Sequence, residues 1–577
     1  MGLMHTKIDS LIAQLEGGQK DIGQLSTKLS WDARLIEKVA RTLERVGVLS
    51  IVYPFSINHT PELMLAKKVE TKQREKIPKG KHLADYSFQM DNGKTDVAVS
   101  VIFSEEDKQP VYFADFPYPS RYTELVLQAV KDEVAKVIPP EPASIDDDIK
   151  APVIKQRRDL VLSVLASNLG KDAQGLDSLC GIVMRAMFGI GEIDILMSDD
   201  NIEEVTVNKA GLPAFVYHRK HGWLKTNLAF EDEDKIYNLA SLVGRKVGKQ
   251  VSSLYPLLDA HLPSGDRVNV TLFPISSLGS AITIRKFARN PITIIDFAGS
   301  MNNMSFDMAA FMWQAIHYER SMLVCGGTAS GKTTTLNALL TFVPPRQRIL
   351  TIEDTRELAL PSTHETWVAL CTRSRNPEGF GEVNMLDLLV NSLRMRPDRI
   401  VMGEIRKKEE AEVLFEAMHT GHSVYGTLHA DTARQLIERL ENPPFALPYQ
   451  EVASVDLVVV QYRDRRKNLR RTLEVCEVFM DKGVPDLCQI FAYSPRSDTF
   501  ASVHKPAKYY SLLELHTGMT EKEIVQDLSE KKAVLSWMYK NHISSVENVG
   551  RVIKQYYDDG ATLLEGVRKG QPPGKVL

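Results

Sequence analysis

An α/β protein with an open parallel sheet in its second half is predicted by three observations. The apolar run 322–325 leads into Gly326-Gly-Thr-Ala-Ser-Gly-Lys-Thr333, a complete G-x-x-x-x-G-K-[ST] phosphate loop, and residues 333–340 read as the helix that follows it. Two more apolar runs, 349–352 and 399–402, end in Glu353-Asp354 and Gly403-Glu404. A further strand pattern, 423–427, is flanked by His422 and His429.

Each element has a chemical reading. Glycines let consecutive N–H groups turn inward around phosphate oxygens, and a following helix adds its positive N-terminal end. Gly326, Gly327, Thr328, Ala329, Ser330, Gly331, Lys332, Thr333 and Thr334 are therefore the expected nucleotide contacts. Lys332 would neutralise the β- and γ-phosphates of ATP, and Thr333 would offer its hydroxyl to Mg²⁺. Side chains at the carboxyl ends of parallel strands face the ligand crevice, which puts Glu353 and Glu404 where they can meet Mg²⁺ or the attacking water. For His422 and His429 a third metal ligand is not evident nearby, so a γ-phosphate sensor is the better reading than metal ligation.

At 577 residues the chain is too long for one core. A net charge of −3, with 25% charged and 43% hydrophobic residues, gives no global reason to expect nucleic acid. The five cysteines are scattered without a C-x-x-C pair, so neither a disulfide framework nor a structural zinc site is readable, and a reducing cytoplasm fits. Neither a membrane-spanning run nor a signal-peptide layout is present, so membrane contact is expected through partners.

From the N-terminus, Ile8, Leu11, Ile12 and Leu15, then Ile22, Leu25 and Leu29, then Leu35, Val39, Leu43 and Val46 predict three amphipathic helices. Strand patterns at 48–53 and 62–66 follow, and residues 1–83 are expected to form a domain resembling a winged helix-turn-helix. Ten Lys and four Arg stand there against three Asp and six Glu, but the third helix mixes acids with its bases, which favours protein docking or a structural role over DNA binding. Residues 84–138 predict a small α+β domain, and the Pro- and Asp-rich stretch after it predicts a linker over 139–154. Strand patterns at 203–208, 215–218, 268–273 and 281–287 predict a second α+β unit over 155–298, with a hinge near 289–303. The nucleotide-binding domain follows over 299–465, and strands and helices with no motif of their own form a C-terminal α+β extension over 466–577.

The phosphate loop, the acidic box Ile352-Glu-Asp354, the stretch Arg396-Pro-Asp-Arg-Ile-Val-Met-Gly-Glu-Ile-Arg406 and the box Thr420-Gly-His…Thr-Leu-His-Ala430 together resemble the secretion ATPase superfamily of type II and type IV systems. Arg439-Leu-Glu-Asn-Pro-Pro-Phe and Asp456-Leu-Val-Val-Val-Gln461 look most like its archaeal branch, which assembles archaella and type IV-like pili. The resemblance covers residues 155–465 strongly, the C-terminal tail more weakly, and leaves the first 150 residues outside. It implies a RecA-like core preceded by an α+β, PAS-like lobe, and a cytoplasmic homo-hexamer that passes ATP-driven movement to a polytopic membrane platform protein. By position Glu404 matches the Walker B glutamate, with a share in holding Mg²⁺ through water, Glu353 the acidic-box glutamate and His429 the family histidine, with His422 a weaker match. Arg267 and Arg285 sit where the family carries arginines that complete the charge around the transferring phosphoryl group, although surface salt bridging is their alternative. Arg394, Arg396 and Arg406 are candidates for a subunit interface. The tetracysteine zinc insertion of bacterial type II members and the C-terminal signature of retraction motors are both missing, which favours extension or secretion. The competing reading is a DNA translocase or nucleotide-dependent regulator using the N-terminal domain.

Overall fold

The periodicities of the N-terminal segment become helices Lys7–Glu16, Ile22–Leu29 and Ala33–Arg45, the last two capped by the side chains of Asp21 and Asp32. The computed structural model describes residues 3–53, 60–67, 77–90, 95–138, 147–171, 175–287, 291–373, 375, 379–464, 466–467 and 469–576. Two units, residues 1–287 and 288–577, each carry their own core.

In the first unit the three helices are followed by an antiparallel hairpin of Leu49–Val52 and Glu62–Leu65. Their core is shared: Ile8, Leu11, Ile36 and Leu43 pack in one cluster with Val126 and Val130 of helix Arg121–Val137 and with Val161, Leu165 and Val183 farther on. The bases of the third helix are partly matched by acids, Arg41 by Glu37 at 2.7 Å and Lys38 by Glu133 at 3.7 Å.

Strand Gly80–Met90 crosses the boundary expected at residue 83. Its inward alternation of Ala84, Tyr86, Phe88 and Met90 is interrupted by a register shift between His82 and Ala84, which masks the strand's start in the sequence. Among the described residues it edges a nine-stranded sheet. Strands Pro110–Asp115 and Gly222–Ala229 pair in parallel, Lys225 opposite Val111, so segments on both sides of the Pro-rich stretch contribute to one sheet. Part of the expected linker, residues 139–146, lies outside the described residues, and the helix after it begins at Asp147.

The second unit is built on another sheet, in the order Val368–Cys371, Ile349–Glu353, Arg399–Met402, Ser423–Leu428, Met322–Gly326, Leu457–Asp464, Leu469–Asp481, Val484–Ser494 and Thr499–Ser502. The first six are parallel and the last three antiparallel. Successive residues of the phosphate-loop strand enter opposite cores, Met322 and Val324 one, Leu323 and Cys325 the other. Both faces are covered, and so the strand reads as a continuous apolar run.

Residues 466–577 continue this architecture: their strands extend the phosphate-loop sheet, and Val534, Leu535 and Met538 of helix Glu521–Lys540 share a core with Trp313 and Phe342. Helix Glu521–Lys540 runs unbroken through Lys531, which is buried and paired with Asp527 one turn back. Of the expected hinge, Arg289 and Asn290 lie outside the described residues, and Thr293 caps the short helix Ile294–Ala298. Among the described residues, no helix is long and apolar enough to cross a membrane.

Candidate functional site

The loop 326–331 joins strand Met322–Gly326 to helix Lys332–Leu340 at the carboxyl edge of the parallel strands. Gly326 has φ +151°, and a Cβ there would stand 2.2 Å from the Gln461 carbonyl oxygen, so the close strand packing beneath the loop requires glycine. Gly331, at φ +97°, turns the chain into the helix. Lys332 is folded over the loop, its Nζ donating to the Gly326 and Gly327 carbonyls at 3.1 Å each. Burial pulls its pKa below the ordinary value.

Glu404 follows the strand Arg399–Met402, next but one to the phosphate-loop strand. Its Oε1 lies 2.9 Å from His429 Nε2, and its Oε2 accepts from Arg406 Nε and Nη2 at 2.9 and 2.6 Å. Burial pushes the Glu404 pKa up, but Arg406, His429 and Lys332 outweigh it and hold the carboxyl below its ordinary value. Glu404 is therefore ionised at neutral pH. The other nitrogen of His429, Nδ1, is 3.3 Å from Lys332 Nζ, so the imidazole stands between the loop lysine and the Glu404 carboxylate. Arg439 fixes this histidine from behind by donating to its carbonyl at 2.8 Å.

Glu353 ends the adjacent strand but is differently employed. It is 2% exposed, and its Oε1 accepts from the N–H groups of Glu357 and Leu358 at 2.9 and 3.1 Å, bracing the loop that follows. Burial raises its pKa to about 7. Gly403 brings Glu353 and the Glu404 segment together, since a Cβ at 403 would lie 3.1 Å from Glu353 Cγ. Arg406, a candidate for a subunit interface on sequence grounds, bonds Asp354 as well as Glu404 within the chain.

The remaining candidates are placed elsewhere. His422 Nδ1 lies 3.1 Å from Thr420 Oγ1 and 3.2 Å from the Ala417 carbonyl, closing the end of helix Lys408–His419. Arg267 and Arg285 are cross-strand neighbours in the first unit. Arg267 holds Asp259 with two bonds, of 3.0 and 2.7 Å, and both side chains are nearly half exposed.

Two contacts were not legible from the motifs. A Cβ at 327 would lie 3.1 Å from Asp431 Oδ1, so that carboxylate borders the loop. Arg470 donates to the Ala329 carbonyl at 3.1 Å. Asp431 directly follows the histidine box and could have been suspected; Arg470 lies in a stretch with no signature.

A loop able to wrap a polyphosphate, with an ionised carboxylate linked to its lysine through one imidazole, makes this chain a P-loop ATPase. Comparison with known proteins gives its kind. The chain belongs to the family described as type II/IV secretion system protein, which matches residues 196–557, well over half its length. An uncharacterized protein of Methanocaldococcus jannaschii is 33% identical over 400 residues, covering 68% of this chain and 71% of the relative. The type IV secretion system protein PtlH of Bordetella pertussis is 31% identical over 322 residues, or 50% of this chain and 93% of that protein. Among solved structures, the VirB11 ATPase of the Brucella suis type IV secretion system is 28% identical, covers 49% of this chain and 92% of its own, and has a TM-score of 0.25.

Proposed function

We propose that this protein is a cytoplasmic motor that hydrolyses ATP to drive secretion or the assembly of a type IV pilus-like or archaellum filament, acting as a homo-hexamer on a polytopic membrane platform protein. The observation that carries the reading is the line Lys332, His429, Glu404 across the phosphate loop. In it Lys332 grips the β- and γ-phosphates, Glu404 accepts the proton of the attacking water, and His429 responds to the γ-phosphate between them. Glu353 assists by holding the loop behind Glu404. Thr333, with Glu404 through water, supplies an all-oxygen donor set suited to Mg²⁺, and the bound ion would neutralise charge on the phosphates.

One lysine and one Mg²⁺ only partly offset the charge of the transition state, so Arg267 and Arg285 are proposed to complete it from the preceding lobe or a neighbouring subunit. The kinship with an archaeal protein over two thirds of the chain favours the archaeal branch. For residues 1–83 a docking role is favoured over DNA binding, because Lys38 and Arg41 of the third helix are matched by carboxylates. The test is the ATPase rate per subunit against protein concentration, with particle mass followed in parallel and with duplex DNA or lipid vesicles added. A rate that rises as a hexamer forms and ignores DNA supports the motor; DNA stimulation without ring formation would replace it with the translocase.

A further inference from the structure

The phosphate loop is tethered to a strand that carries no motif. Leu469–Asp481 runs antiparallel beside Leu457–Asp464, Arg470 opposite Arg463, and Leu457–Asp464 lies directly beside the phosphate-loop strand, Gln461 opposite Gly326. This order brings Arg470 to the loop, where its Nε donates to the Ala329 carbonyl at 3.1 Å and its Cδ would lie 3.6 Å from a Cβ at 331. Ala329 has φ +59°, a left-handed conformation that a non-glycine residue keeps only when its surroundings hold it there.

The peptide after Ala329 gives the contact its consequence. In a trans peptide the C=O and the following N–H point in opposite directions. Holding the Ala329 carbonyl on the Arg470 side turns the Ser330 N–H across the loop, where its protein acceptor, the Gly327 carbonyl, is a long 3.4 Å away. A phosphate oxygen inside the loop is a better acceptor for that donor. The base of the tether is itself fixed: Arg471 holds Asp498 with bonds of 2.7 and 2.9 Å, and Thr472 N–H donates to the Asn303 carbonyl at 2.8 Å.

We propose that Arg470 is a positioning residue for phosphate binding, one that orients the Ala329–Ser330 peptide so that the Ser330 N–H meets a phosphate oxygen of a nucleoside di- or triphosphate. This rests on the nucleotide reading of the loop and adds to it a dependence on the C-terminal strands. The contact is made by the donor at Nε and does not require the arginine's charge. Glutamine carries an N–H donor at the same distance along its side chain, and methionine does not.

The test uses the full chain, with ADP and ATP affinities from calorimetry, steady-state kinetics, and melting temperature as the folding control. Arg470→Met should weaken ADP and ATP by up to about tenfold, the loss expected for one hydrogen bond, and raise KM while kcat at saturating ATP stays within about twofold. Arg470→Gln should recover most of that affinity, and Arg466→Met, which removes a charge from the same hairpin, should bind like the parent. If Arg470→Met melts early, Arg470→Leu repeats the arm. Parent-like binding by Arg470→Met overturns the proposal, as does a Gln variant as weak as the Met variant or an equal loss in Arg466→Met, either of which would make charge the cause. Lys332→Ala separates the two readings. Nucleotide binding lost in Lys332→Ala but intact in Arg470→Met sinks the tether and leaves the ATPase standing, whereas a parent chain that binds neither nucleotide sinks both.

Discussion

The Nε2 of His429 lies 2.9 Å from a carboxylate oxygen of Glu404, while Nδ1 of the same ring lies 3.3 Å from Nζ of Lys332. A single imidazole thus touches both the group expected to grip phosphate and the group expected to accept a proton. A neutral imidazole has one bare nitrogen and one N–H, so the ring can accept from Lys332 at Nδ1 while donating to Glu404 at Nε2, and ligand charge near Lys332 is linked to Glu404 through it.

Glu404→Gln should therefore keep ATP affinity within about threefold while lowering kcat by about a hundredfold or more, the usual scale for removing a general base. Single-turnover hydrolysis with equilibrium binding measured alongside checks this. Normal turnover in Glu404→Gln would move the catalytic role elsewhere, with Glu353 the next candidate.

His429→Ala leaves both acid and lysine in place but removes their bridge. We expect kcat to fall about tenfold or more with a smaller change in ATP affinity, because the loop's own N–H groups are untouched. Lys332→Ala should do the reverse and weaken ATP binding about tenfold or more, since it deletes the charge facing the phosphates. Nucleotide titrations of the two variants side by side give the answer; equal losses in both would mean that His429 acts in binding.

Much of the second unit was legible because buried parallel strands leave long apolar marks. The runs before Gly326, Glu353 and Glu404 are strands fully buried or nearly so, and the acids at their ends follow from that topology. Strand Gly80–Met90 leaves no such mark, since its polar outward face and its register shift at 82–84 break the alternation. The different states of Glu353 and Glu404 were also hidden. Both end apolar strands, and what separates them is the company each keeps: two backbone N–H groups for Glu353, and Arg406 with His429 for Glu404. Arg470 was out of reach for another reason, because sheet order and not sequence distance brings it to Ala329.

Arg267 offers a direct choice between the two roles its sequence position allows. Its two bonds to Asp259 form an exposed pair, which contributes little to stability. If Arg267 serves catalysis, Arg267→Ala should abolish most turnover with ATP binding kept, while Asp259→Ala leaves turnover within about threefold. Mixing Arg267→Ala with Glu404→Gln should restore part of the activity if the arginine acts across subunits. Equal and small effects of the two alanine variants would return Arg267 to the surface.

Glu353 should make stability depend on pH. Burial raises its pKa from 4.5 to about 7 in the folded chain, so the native state keeps a proton that the unfolded chain has released. The sign follows: the contribution of the neutral carboxyl is fully present below pH 4.5 and is lost as pH rises through about 7. A shift of this size corresponds to about 3 kcal/mol, an upper figure because the loop can relax around the charge. Glu353→Gln keeps an oxygen for the Glu357 and Leu358 N–H groups and cannot ionise. Relative to that variant, the parent should lose stability in denaturant titrations between pH 5 and pH 8, and the difference should level off on the alkaline side. A parent and variant that track one another across this range would mean that Glu353 is already ionised in the folded chain, paired by its bonds to the loop more strongly than burial opposes.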